Sequence, residues 1–135
     1  MVRTFRCVAF FLMLVCVMSC RRGSDHQADA VSGFLEAVHS TKIVGWAWDK
    51  NRPEASVSVT ILDSDNVLAS VQADVFRKDL LDGKIGTGKY GFEVPTPQSL
   101  KDGRPHEIHA LVSGTKVELK NSPKRYQFQS AKAKK

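Results

Sequence analysis

"SVSVTILDSDNVLASVQADVF", residues 56–76, decides the fold. In its first half Val57, Val59 and Ile61 alternate with Ser58 and Thr60. A period of two sets the apolar side chains on one face of an extended chain and the hydroxyls on the other, which is the pattern of a half-buried strand. The "DSDN" that follows (63–66) is made of residues whose short polar side chains bond the local backbone, and it predicts a short hairpin turn. Residues 67–76 then return with the same period, Leu68, Ser70 and Gln72 against Val67, Ala69, Val71 and Ala73.

Outward from this hairpin the chain keeps the same grammar. On the N-terminal side "GFLEAVH" (33–39) and "TKIVGWAWD" (41–49) read as two strands, and "NRPEA" turns the chain, because Pro53 has no N–H to give a ladder. On the C-terminal side "RKDLLDGK" (77–84) reads as one helical turn stopping at Gly83, and "GTGKYGFEVP" (86–95) as glycines leading into a strand that ends at Pro95. "TPQSLKDGRP" is a loop. "HEIHALV" (106–112) and "TKVELK" (115–120) read as a hairpin across Ser113-Gly114, and "RYQFQ" (125–129) as a closing strand. Seven to eight short strands with frequent turn signals predict an all-β, immunoglobulin-like antiparallel β-sandwich over residues 33–129. The label describes architecture only, since the immunoglobulin cysteine pair is absent.

Both tryptophans of the chain lie in the second strand. Val44, Trp46 and Trp48 share one face and Ile43, Gly45 and Ala47 the other, so both faces are apolar, as in a central strand covered on one side and partly on the other. Trp46, mid-strand, is expected in the core, where such a ring buries about 150–250 Å2. Trp48, near the turn, is either core or a solvent-facing ring able to stack on a sugar. "GWAWD", "RKDLL", "GTGKYGF", "HEIHALV" and "NSP" occur in an order that resembles β-sandwich modules of bacterial secreted, surface and glycan-handling proteins, with the pattern G-W-A-x-D, R-x-D-L, G-x-G-x-x-G-F. The resemblance covers residues 33–123 and implies an accessory unit with no catalytic residue. The residues also carry a structural reading of their own. Arg77 and Asp79 pair or bond carbonyls under a loop that Leu80 pins, Gly86, Gly88 and Gly91 allow positive φ or close approach, and Phe92 plugs the core.

The N-terminus tells of location. Arg3 and Arg6 precede an unbroken apolar run, Cys7–Met18, and then Ser19, Cys20, Arg21 and Arg22. A dozen apolar residues fall short of the ~20 needed to cross a bilayer, but they suit a secretory signal. "VMSC" resembles the lipobox of bacterial lipoproteins. The resemblance implies removal of residues 1–19, palmitate-type acylation of Cys20, and, with Arg21 rather than aspartate after the cysteine, the outer rather than the inner membrane of the envelope. Residues 20–32 are then the lipidated cysteine and a polar tether. Loss of Cys7 and Cys16 with the signal leaves one cysteine, so neither a disulfide framework nor a Cys-based zinc site is possible. The formal charge of +6 falls to +4 without Arg3 and Arg6, 18 basic against 14 acidic residues. A basic tail, residues 130–135, ends the chain. In an envelope it is either a solvated tail that aids solubility or faces anionic lipid or wall polymer, and no nucleic acid partner is expected.

Motifs that imitate chemistry lack its context. "GTGKYG" fits G-x-G-x-x-G but precedes a strand instead of joining strand to helix. Asp63 and Asp65 begin a calcium-loop spacing, yet Val67 and Leu68 fill its fifth and sixth positions and Asp74 its twelfth. His106 and His109 fall on opposite faces of a strand, His26 lies in the tether, and His39 near Asp49 has no nucleophile beside it. The expectation is therefore a membrane-anchored, non-catalytic lipoprotein without cofactor or metal, whose sandwich contacts a protein or glycan through Trp48, Lys89 and Tyr90. A small periplasmic hydrolase or metal-dependent enzyme, and a purely structural envelope lipoprotein, are the alternatives.

Overall fold

The hairpin at the centre of the sequence forms where its pattern predicts it. The computed structural model describes residues 30–130. β3 (Val57–Asp63) and β4 (Asn66–Ala73) pair antiparallel around Ser64 and Asp65, with Ser64 at φ +52°. Val59 and Ile61 are fully buried, while Ser58 and Thr60 face outward and Thr60 Oγ1 shares hydrogen bonds with Ser70 and Ser113. One extra residue, Leu68, bulges where the register shifts beside Ile61 and Leu62.

Six further strands complete the fold: β1 (Val31–Val38), β2 (Lys42–Asp49), β5 (Val75–Phe76), β6 (Lys89–Pro95), β7 (Pro105–Val112) and β8 (Lys124–Gln127). A short helix, α1 (Lys78–Asp82), stops at Gly83, and a 3-10 turn spans Gln98–Lys101. The strands form two antiparallel four-stranded sheets, ordered β1-β2-β6-β5 and β4-β3-β7-β8. The protein is an all-β sandwich of eight strands, the class that the alternating runs predict. Leu35, Ile43, Ala47, Phe92 and Val94 of the first sheet meet Val57, Val59, Ile61, Ile108 and Ala110 of the second, with Leu100 and Leu119 closing the ends.

Three elements differ from their sequence reading. β1 begins at Val31, two residues before the expected start. Residues 67–76 are not one strand: the chain leaves the second sheet after Ala73, turns at exposed Asp74, and β5 joins the first sheet beside β6. A strand that changes sheets keeps its local period, so alternation alone does not reveal the corner. Residues 115–120 return along β7 as the expected hairpin arm, Val112 N–H donating to Val117 O and Leu111 standing opposite Glu118, but they also cross to the first sheet. Leu119 N–H donates to Ala110 O of β7 at 2.8 Å, Lys120 N–H to Gly33 O of β1 at 3.0 Å, and Leu35 N–H to Lys120 O at 3.0 Å. Leu119, only 3% exposed, fills the seam between the sheets. The expected signal peptide, Cys20 and residues 131–135 of the tail lie outside the described residues.

Candidate functional site

β2 carries two cores, one on each face. Ile43 and Ala47 point between the sheets, and Gly45 there leaves space that the ring of Phe92 occupies. Trp46 points to the outer face, where it forms a second cluster with Leu80 and Tyr90, flanked by Trp48 and Ile85. Trp46 is thus buried as expected, but under the loop after β5 and not between the sheets. Phe34 covers its other side at 5.6 Å between ring centroids, with Lys120 Nζ 5.6 Å from the Phe34 ring centre.

The loop is clamped by Arg77. Its backbone N–H donates to Gly88 O at 2.8 Å. Its Nε and Nη2 donate to the Asp79 carboxylate at 3.0 and 2.6 Å, Nη2 also reaches Glu36 Oε1 at 3.1 Å, and Nη1 bonds Glu36 Oε2. The stem of Arg77 lies where a side chain on Gly91 would stand: a Cβ there would come within 2.8 Å of Arg77 Cδ. The hydrogen bonds to Glu36 and then to Asp79 raise the guanidinium pKa, and Arg77 in turn lowers that of Asp79.

Tyr90 fixes the other side of the loop. Its hydroxyl donates to Pro53 O at 2.7 Å and accepts from Thr87 N–H at 3.1 Å. The loop folds over it because Gly86 has no side chain: a Cβ there would strike the Tyr90 hydroxyl, and φ at Gly86 is +45°. Tyr90 is 2% exposed, its phenol drawn inside by these two hydrogen bonds. Trp48 is half-buried, its ring 5.9 Å from that of Tyr90. Its Nε1 is buried without a partner among the described residues. Lys89 is exposed.

Between the β2–β3 turn, the Asp74 corner and this loop lies an open cavity of about 320 Å3, lined by Pro53, Glu54, Ala55, Ser56, Asp74, Thr87, Lys89 and Tyr90. It unites Lys89 with the edge of Tyr90 and leaves Trp48 out. Glu54, Ser56, Asp74 and Thr87 were not expected here. They come from three separate segments, and only the charge of Asp74 in an otherwise uncharged stretch marked it in the sequence. Two carboxylates, one ammonium and two hydroxyls in a cavity near the lower size for small-ligand sites can hold a polar or charged group.

His106 and His109 sit elsewhere, each beside a carboxylate. His106 lies between Asp63, 2.7 Å from Nδ1, and Asp102, 2.9 Å from Nε2. Two carboxylates against two ring nitrogens favour the imidazolium, and the pKa is raised, chiefly by Asp102 and then by Asp63, against the opposing effect of burial. Asp102 is held down to about 2 by the Arg104 backbone N–H and by His106. His109 Nδ1 is 2.7 Å from Glu118 Oε1. Among the described residues no three His, Cys, Asp or Glu side chains group as metal ligands, and no helix is long and apolar enough to cross a membrane. No protein-family model, curated protein or solved structure matches this chain.

Proposed function

We propose that the chain is a non-catalytic, lipid-anchored protein of a bacterial envelope whose sandwich is a contact module for a protein or glycan. The anchor is Cys20, the last residue of the "VMSC" stretch, and Arg21 behind it favours the outer membrane. The observation that carries the contact reading is the cavity between the β2–β3 turn, Asp74 and Lys89. Its walls are fixed by Tyr90 and by the Arg77 clamp, so charged groups are presented on rigid backbone, and rigid presentation lowers the entropic cost of binding. His106 and His109 are engaged by carboxylates as structural pairs, which suits a protein that presents a surface more than one that moves protons.

Two measurements test this reading. Metabolic labelling with a palmitate analogue should mark the wild-type chain and not Cys20→Ala. Photo-crosslinking from position 54 in intact cells, together with binding to isolated envelope polysaccharide, should yield a specific contact that weakens several-fold in Lys89→Ala. An unacylated mature chain removes the anchor, and an absence of both adduct and polysaccharide binding removes the contact role.

A further inference from the structure

A two-sheet sandwich has four edge strands, and each presents unpaired N–H and C=O groups unless something guards it. Three of the four are guarded here. β1 is bridged by residue 120 through hydrogen bonds to Gly33 and Leu35. β5 is two residues long and flanked by Asp74 and Arg77. β8, "KRYQ", opens with two cations. The fourth is β4, "NVLASVQA": eight residues with no charge and no proline. Among the described residues it receives backbone hydrogen bonds only from β3. The bulge at Leu68 twists its start, but Ala69–Ala73 pairs in regular register with Val57–Ile61. Val67 on this strand is 64% exposed, the most exposed large apolar side chain described.

We propose that β4 is a docking edge for an extended segment of another protein, uncharged in its middle and basic at its ends. The first property follows from the strand itself, whose main chain and small side chains offer hydrogen bonds and shape but no charge. The second follows from what brackets it. Asp65 precedes β4 and Asp74 follows it, both exposed and both without an ion pair among the described residues. At the Asp74 end the cavity adds Glu54, two carboxylates against the single ammonium of Lys89. A lysine or arginine at the end of an incoming strand meets complementary charge there. The same acids argue against a second copy of this chain: antiparallel pairing of β4 with itself sets Asp65 of one copy beside Asp74 of the other, and like charges across a ladder destabilise it. The inference rests on the contact-module reading only for its protein partner. Acylation of Cys20 tests the anchor and is blind to β4.

The test uses the full chain in detergent and two capped synthetic peptides, Lys-(Val-Thr)3-Lys and Glu-(Val-Thr)3-Glu. Amide hydrogen exchange should slow within residues 69–73 on addition of the lysine peptide, with roughly five-fold weaker binding of the glutamate peptide. The double substitution D65K/D74K, at two exposed positions, should reverse that preference. Ser70→Lys, which charges the middle of the edge, should abolish protection by both peptides. Unchanged exchange in 69–73, equal binding of the two peptides, or the same protection appearing without peptide as the chain dimerises in sedimentation would overturn the proposal.

Discussion

At the residue scale, Gly86 and Tyr90 define each other. The phenol hydroxyl occupies the space a Gly86 side chain would need, and it satisfies Pro53 O and Thr87 N–H in return. Gly86→Ala should therefore destabilise by about 1–3 kcal/mol through strain at positive φ and the collision. Tyr90→Phe should cost about 0.5–1.5 kcal/mol, because it removes the hydroxyl's bonds to Pro53 O and from Thr87 N–H. The double variant should cost less than the sum, since removing the hydroxyl removes much of the collision. Denaturant unfolding of the four proteins gives the coupling energy, and strict additivity would break the link between the two residues. Arg77 admits a similar argument. Its stem packs on Gly91 while its fork holds Glu36 and Asp79, so Arg77→Lys should recover only part of the stability lost in Arg77→Ala, since lysine lacks the planar fork.

At the element scale, the Asp63–His106–Asp102 chain of contacts ties the end of β3, the start of β7 and the turn after the 3-10 segment. The sign of its pH dependence follows from the shifts. The pKa of His106 is raised in the fold, so its stabilisation is complete below the ordinary histidine value of about 6.5 and fades as pH rises through the raised one. The pKa of Asp102 is lowered to about 2, so its share is complete above the ordinary aspartate value and fades as pH falls toward 2. Stability from this cluster should be greatest between about pH 4.5 and 6. Urea midpoints at pH 5.5 and 8.5 should differ in the wild type and differ less in His106→Asn; an unchanged difference would assign the pH dependence to other groups. Hairpin β3–β4, α1 and β6 were legible from the sequence because their signals are local: a period of two, a glycine stop, a proline end. β5 and the link of Lys120 to β1 were not, because the side of the sandwich a segment joins depends on partners far along the chain. The cavity was hidden for the same reason, as Glu54, Asp74 and Lys89 are brought together only by the corner at Asp74 and the Tyr90 hydrogen bond to Pro53.

At the scale of the whole molecule, the first sheet has an apolar cluster on each side and β2 belongs to both. The two clusters are unequal. The inter-sheet core draws on strands of both sheets, so losing part of it weakens every element at once. The outer cluster of Trp46, Leu80 and Tyr90 closes only one loop over one face. A protein built this way should open in two steps, the loop from Arg77 to Gly91 at low free energy and the sandwich at the global one. Ile61→Ala, at a fully buried site, should cost about 2–5 kcal/mol and speed exchange of the slowest amides in β2, β3 and β7 together. Leu80→Ala, also buried, should instead speed exchange within residues 77–91 and leave the slowest amides of β3 nearly unchanged. If Leu80→Ala accelerated β3 as much as the loop, the outer cluster would be part of one cooperative core. The rigid wall that the loop gives the cavity would then come from the sandwich as a whole, and the Arg77 and Tyr90 contacts would be incidental to it.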